Sequence, residues 1–124
     1  ETKKPEKHTS PADQAPTEIG IETFKQLDLR TGKILECRLV KDSDKLLVSR
    51  VDLGEDQPRS IVSGVAEFYL PEEMVGRSVI IVANLKPVKL RGERSEGMIL
   101  ATDDGKTVRI VEAPKDALPG TVVR

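Results

Sequence analysis

Ser78-Val79-Ile80-Ile81-Val82-Ala83-Asn84, continuing as Leu85-Lys86-Pro87-Val88-Lys89-Leu90-Arg91-Gly92-Glu93-Arg94-Ser95-Glu96-Gly97-Met98, is the stretch on which the reading of this chain turns. Its opening residues are nearly continuously apolar and rich in β-branched side chains, a pattern suited to a strand covered on both faces. They are expected to form the central strand. From Lys86 to Arg94 the chain then sets Lys86, Lys89, Arg91 and Arg94 against the single acid Glu93, although its overall net charge is −1. Positive charge is therefore concentrated here. Pro87 and Gly92 oppose helix and interior strand, so the segment reads as a connection held up by a sheet and as a candidate phosphate-binding loop.

Working outward toward the N-terminus, Arg59 to Val62 reads as a strand. Leu46 to Leu53 alternates, with Leu46, Val48 and Arg50 on one face and Leu47, Ser49, Val51 and Leu53 on the other. Leu29 to Val40 alternates less regularly, and Gly32 is expected to mark a bend or bulge. Ala66 to Val75 reads as short helical or turn segments, with Pro71 suited to a first helical position. Thr23 and Gln26 match a capping box for a turn of helix. Toward the C-terminus, Met98 to Thr102 and Thr107 to Val111 flank Asp104-Gly105, a hairpin signal. Short strands at turn spacings with no βαβ alternation predict an all-β, five-stranded Greek-key barrel with short helical inserts and a C-terminal extension from Ala113.

With 124 residues and 37% hydrophobic content, one domain is expected. Phe24, Phe68 and Tyr69 are its only aromatics, so the core must be aliphatic and a base-stacking platform is not expected. The near-neutral charge argues against a generic nucleic-acid coat, because non-specific affinity depends on neutralising phosphates. Cys37 stands alone, which excludes an internal disulfide and suits a reducing, cytoplasmic setting. No apolar run is long enough to span a membrane. Residues 1–18, polar and proline-containing, are expected to be a flexible linker or tail ahead of a domain at residues 19–124. His8 lies in that linker. Since the chain begins with Glu1, it is expected to be a processed chain or a fragment of a longer one.

Several motifs together carry a resemblance: Asp28-Leu29-Arg30-Thr31-Gly32-Lys33-Ile34, Asp44-Lys45-Leu46-Leu47, Arg59-Ser60-Ile61-Val62-Ser63-Gly64, Tyr69-Leu70-Pro71-Glu72, Asn84-Leu85-Lys86-Pro87 and Leu90 to Ala101. In order and spacing they resemble the tRNA-binding OB domain appended to many bacterial methionyl-tRNA synthetases, and also found as free-standing dimers and export-related chaperones. The resemblance implies an OB-type barrel that grips tRNA by shape and phosphates. It places Lys33, Lys45, Asn84, Lys86, Lys89, Arg91, Ser95 and Met98 on the RNA-binding surface. It further implies a homodimer and covalently attached upstream synthetase domains. Lys41-Asp42 stands where the family commonly has His-Pro, and Glu93 and Glu96 dilute the basic loop.

An enzyme is not expected from this chain. Its presumed folded part contains no histidine, and Ser95 lacks a base. No cofactor or metal is expected; Asp103-Asp104 reads as a turn and Cys37 as a small buried apolar side chain. Ser95 and Asn84 are candidates for bonding phosphate or 2′-hydroxyl, or alternatively for capping turns. Ile19, Ile21, Leu118, Val122 and Val123 are more apolar than loose ends require, and are expected to form the dimer interface. The competing reading is a chaperone-like protein-binding module.

Overall fold

The computed structural model describes residues 16–124, so most of the expected linker, with His8, lies outside the described residues. One turn of helix, α1 (Ile21–Phe24), opens the described chain. Its cap is the extended Gly20, whose carbonyl accepts the Thr23 N–H at 3.0 Å. The expected Thr23 capping box is thus corrected: Thr23 is inside the helix, and Gly20 reaches the extended cap conformation first. β1 (Leu29–Leu39) follows, then β2 (Leu47–Asp52), β3 (Arg59–Ser63), α2 (Pro71–Met74) and β4 (Ser78–Val82). The remaining strands are β5 (Val88–Leu90), β6 (Glu93–Ser95), β7 (Met98–Ile99), β8 (Ala101–Asp103), β9 (Val108–Ile110) and β10 (Val122–Val123).

The main sheet runs β3-β2-β1-β4-β7, with β10 added to β1. The strand at its centre is therefore β1, not Ser78–Asn84 as the apolar run suggested. β1 takes β4 along one edge from Leu29 to Lys33, while its other edge takes β10 at Leu29 and Arg30 and then β2 from Lys33 to Leu39. The bulge also moves. The β1–β2 register shifts between Ile34 and Glu36, whereas Gly32 is a point of close packing. A Cβ on Gly32 would lie 2.7 Å from a Val51 methyl and 3.2 Å from Ile81, so glycine lets two core side chains close over the backbone.

The alternation read in Leu46–Leu53 is realised. Leu47, Val51 and Leu53 point into a core shared with Ile34, Ile61, Val79 and Ile81, while Val48 joins Val40 and Val62 in a smaller cluster. α2, inserted between β3 and β4, delivers the fully buried Met74 to the main core. Burying each such side chain stabilises the fold by ~1.5–3 kcal/mol. Tyr69 adds a buried polar anchor, its hydroxyl accepting the Ile110 N–H at 3.0 Å. Asp104 accepts from the backbone N–H groups of Lys106 and Thr107 at 2.9 and 2.8 Å, closing the expected hairpin between β8 and β9.

β3 meets the β6 region through side chains. Ser95 Oγ accepts the Val62 N–H at 2.9 Å, Glu96 Oε1 accepts the Ser60 N–H at 3.1 Å, and the Glu96 N–H returns a bond to the Ser60 carbonyl at 2.8 Å. Arg59 braces the same seam, donating to the Ala83 and Glu96 carbonyls at 2.6 and 3.0 Å and pairing with Glu55. Hydrogen bonding to that guanidinium holds the Glu55 carboxyl below its ordinary range. The result is a nearly closed five-stranded antiparallel Greek-key barrel of the OB type, with two very short helices among the described residues and extra C-terminal strands.

Candidate nucleic-acid interface

The basic segment is a hairpin rather than an irregular loop. Pro87 precedes β5, and Arg91-Gly92 forms a two-residue turn closed by the Leu90–Glu93 pair. Both turn residues have positive φ, +51° and +83°, as the hairpin connection that matches strand twist requires. Pairing brings Lys89 directly opposite Arg94 on one exposed face. Like charges in register disfavour the pairing by roughly 0.2–1 kcal/mol, a cost that an anionic partner would offset.

Only one of the two acids in this segment, Glu93, is turned wholly aside. Glu93 takes the Arg38 guanidinium on both carboxylate oxygens, at 3.2 and 3.1 Å, while Glu96 is occupied with the β3 seam and approaches Arg94 at 3.6 Å. Arg91, at the hairpin tip, donates to the Asp42 carbonyl at 3.3 Å. That contact brings the hairpin tip to the turn between β1 and β2. Lys45 is exposed on the same turn, whose shape is set by Ser43 Oγ accepting the Lys45 and Leu46 N–H groups. Lys45, Lys86, Lys89 and Arg91 are all exposed.

Lys33 is elsewhere. It lies five residues before Arg38 on β1, roughly 15 Å along the strand, and pairs with Asp52 and Ser78. There it lines a separate hollow of about 400 Å³ with Arg77, Glu112 and Lys115. Asn84 has both ends of its amide engaged: Oδ1 accepts the Asp28 N–H at 2.9 Å and Nδ2 donates to the Gln26 carbonyl at 2.7 Å. Ser95 is only 3% exposed, accepting from Val62 and donating to the Gly97 carbonyl at 3.2 Å. Met98, on β7 opposite Val82, is exposed.

Sequence reasoning missed Arg38, and it noted Arg50 only as a strand position. Both line a groove of about 330 Å³ with Glu36, Val48, Ser60 and Glu93, beside the hairpin. Alternation set Arg50 on the face of Leu46 and Val48, but the partnership of Arg38 with Glu93 spans 55 residues and left no local signal. Cys37 is half-buried, and burial pushes its thiol up, as suits an unreactive packing residue. Among the described residues no group of three metal-ligating side chains occurs, and no helix is long and apolar enough to cross a membrane.

At the ends of the chain, Ile19, Ile21, Leu118 and Val122 are 67%, 60%, 76% and 57% exposed. α1 buries none of its residues. Val122 and Val123 are set by β10 against Arg30 and Leu29, and Leu118 is held by its carbonyl, which accepts from Thr31 Oγ1 at 2.8 Å.

Residues 29–122 match the family model described as "Putative tRNA binding domain". The chain is 54% identical over 107 residues, 86% of its length, to a methionine–tRNA ligase of Methanocella arvoryzae, of which it covers 15%. It thus spans only about 15% of the length of that relative. Among solved structures it is similar to a MetRS-related protein of Pyrococcus horikoshii, with 29% identity, a TM-score of 0.83, and 88% of this chain and 100% of that one covered. It also shares its fold with the chaperone CsaA of Bacillus anthracis, at 22% identity, a TM-score of 0.78, and coverage of 87% and 100%.

Proposed function

The chain belongs to the tRNA-binding domain family, and from that premise we propose that residues 19–124 grip tRNA by its phosphates and shape, without reading sequence. The observation that carries this reading is the in-register Lys89–Arg94 pair on an exposed hairpin whose Glu93 is bonded to Arg38, with Glu96 shared between the β3 seam and Arg94. Lys45, Lys86, Lys89 and Arg91 supply the electrostatics, and Met98 an apolar contact. Asn84 and Ser95 hold the two ends of the hairpin segment in place, since their polar atoms bond protein groups. Lys33, beside Lys115, serves as a second and separate cationic contact.

If about three phosphates are neutralised by the hairpin, log affinity falls with log salt at a slope of about −2.7, so raising salt from 50 to 200 mM weakens binding roughly forty-fold. Titration of labelled tRNA across that range is the test. No binding at 50 mM overturns the function, and a slope near zero overturns the phosphate reading.

In this reading the module forms the C-terminal part of a cytoplasmic methionine–tRNA ligase. The polar residues 1–18 tether it to upstream synthetase domains, for which it increases the local tRNA concentration. It acts as a homodimer through Ile19, Ile21, Leu118, Val122 and Val123, of which a lone copy leaves the first four largely in water and Val123 half-buried. Sedimentation at micromolar concentration is expected to give a dimer. Leu118→Asp is expected to yield folded monomers, since Leu118 is 76% exposed in a lone copy, with a urea midpoint lowered only by the lost dimerisation and so converging on the parent's as the protein is diluted. A monomeric parent chain overturns this interface.

A further inference from the structure

We infer that Arg38 is a further RNA-facing cation held in reserve, and that its pair with Glu93 is a latch that tethers the β5–β6 hairpin beside the groove until a phosphate displaces it. The inference rests on the tRNA-binding reading above and concerns how that surface opens.

The hairpin is attached unequally along its length. At its base, Ser95 is buried and bonded to Val62, Glu96 is bonded to Ser60, and Arg59 clasps the Glu96 carbonyl. Toward its tip, the side-chain ties are exposed: Arg38 to Glu93, and Arg91 to the Asp42 carbonyl at 3.3 Å. Val88 and Leu90 are 53% and 41% exposed, so the hairpin has little apolar packing to lose on lifting. It is rooted at one end and lightly tethered at the other.

The tether is electrostatic and weak. Arg38 is 61% exposed and Glu93 25% exposed at their side chains, in the range where ion pairs add little stability and are screened by salt. Glu93 is the residue of the hairpin that lines the 330 Å³ groove, where Arg38 and Arg50 face Glu36 and Glu93. Formal charge in the closed groove therefore balances. A guanidinium presents a planar fork that accepts phosphate as readily as carboxylate. When phosphate takes that fork, Glu93 loses its partner and the tip is released. The groove keeps Arg38 and Arg50 for the RNA, while Glu93 moves away from the incoming negative charge.

The decisive variant is Glu93→Gln, which keeps the side chain's size while removing the charge that masks Arg38. Freeing one cation adds about one phosphate contact, so tRNA affinity at 0.1 M salt should rise about eightfold and the salt slope steepen by about 0.9. In an Arg38→Gln background the same change should have no such effect, because the cycle isolates the pair. An equal gain in both backgrounds, or no gain in the parent, overturns the latch. Hydrogen exchange without RNA provides a second arm: residues 88–95 should exchange faster in Glu93→Gln and in Arg38→Gln. Unchanged exchange overturns the latch even if the chain binds no tRNA, whereas faster exchange without tRNA binding upholds the Arg38–Glu93 tether and overturns the function together with Arg38's part in it.

Discussion

Replacing Lys86, Lys89 and Arg91 together by alanine is expected to lower tRNA affinity by two to three orders of magnitude at 0.1 M salt. In the counterion-release picture each phosphate contact contributes about 0.9 to the salt slope, worth roughly eightfold at 0.1 M, and three such contacts multiply. The loss should be electrostatic in character. As salt rises, the curves for parent and variant should converge, and the variant's slope should flatten. Stability should change little, because all three side chains are exposed and surface substitutions of this kind usually stay within about 0.5 kcal/mol. Removing Lys89 also relieves its opposition to Arg94. Titration at three salt concentrations, with a urea melt of the same samples, separates loss of contact from loss of fold. Unchanged affinity in a folded variant overturns the assignment of the hairpin as the gripping element.

The second large effect is expected at Gly120. The C-terminal segment crosses the turn after β2 with backbone against backbone: Gly54 and Gly120 approach so closely that a Cβ on Gly54 would lie 2.7 Å from the Pro119 carbonyl oxygen. A Cβ on Gly120 would run into the Leu53 carbonyl group, at a φ of +87° that side chains already disfavour. Around this crossing the segment is stitched to β1. The Gly120 N–H donates to the Thr31 carbonyl at 2.8 Å, and the Thr31 N–H to the Thr121 carbonyl at 2.9 Å. Gly120→Ala should therefore cost more than 3 kcal/mol, the sum of backbone strain and overpacking with nothing flexible to yield. Gly105→Ala is the control. Its φ is +90° with open space around it, so it should cost only about 1 kcal/mol. Urea unfolding compares the two, and equal costs would refute the close-crossing account.

What could be read in the sequence follows the range of the forces involved. The strand at Leu47–Asp52 was legible because its alternation is a local property that the barrel obeys. The Asp104-Gly105 hairpin was legible because its turn chemistry lies within a few residues. The centre of the sheet was not, since β1 gains that place through pairing with β4 and β10 far along the chain. Gly32 reads as a bend or bulge in the sequence because an isolated glycine in a strand signals either irregularity or close approach, and Val51 and Ile81 decide which.

For the candidate site, the cations of the hairpin could be found from charge density alone. The hydroxyl of Ser95 and the amide of Asn84 could not be assigned from sequence, because their partners Val62, Asp28 and Gln26 lie 33 to 58 residues away. The same distance effect hid the engagement of Glu93 with Arg38. It also gave no warning that Lys33 lines a different hollow from the one beside the hairpin.

The hairpin turn carries one further consequence. At φ +51° Arg91 occupies a conformation that suits asparagine or glycine and that disfavours a long side chain by ~1–2 kcal/mol. A chain selected only for ruggedness would drift toward Arg91→Asn, gaining a relaxed turn and losing the outermost cation. Heat resistance and grip on RNA thus pull this position in opposite directions, and thermal selection of this domain would be expected to erode its affinity first at the tip of the hairpin.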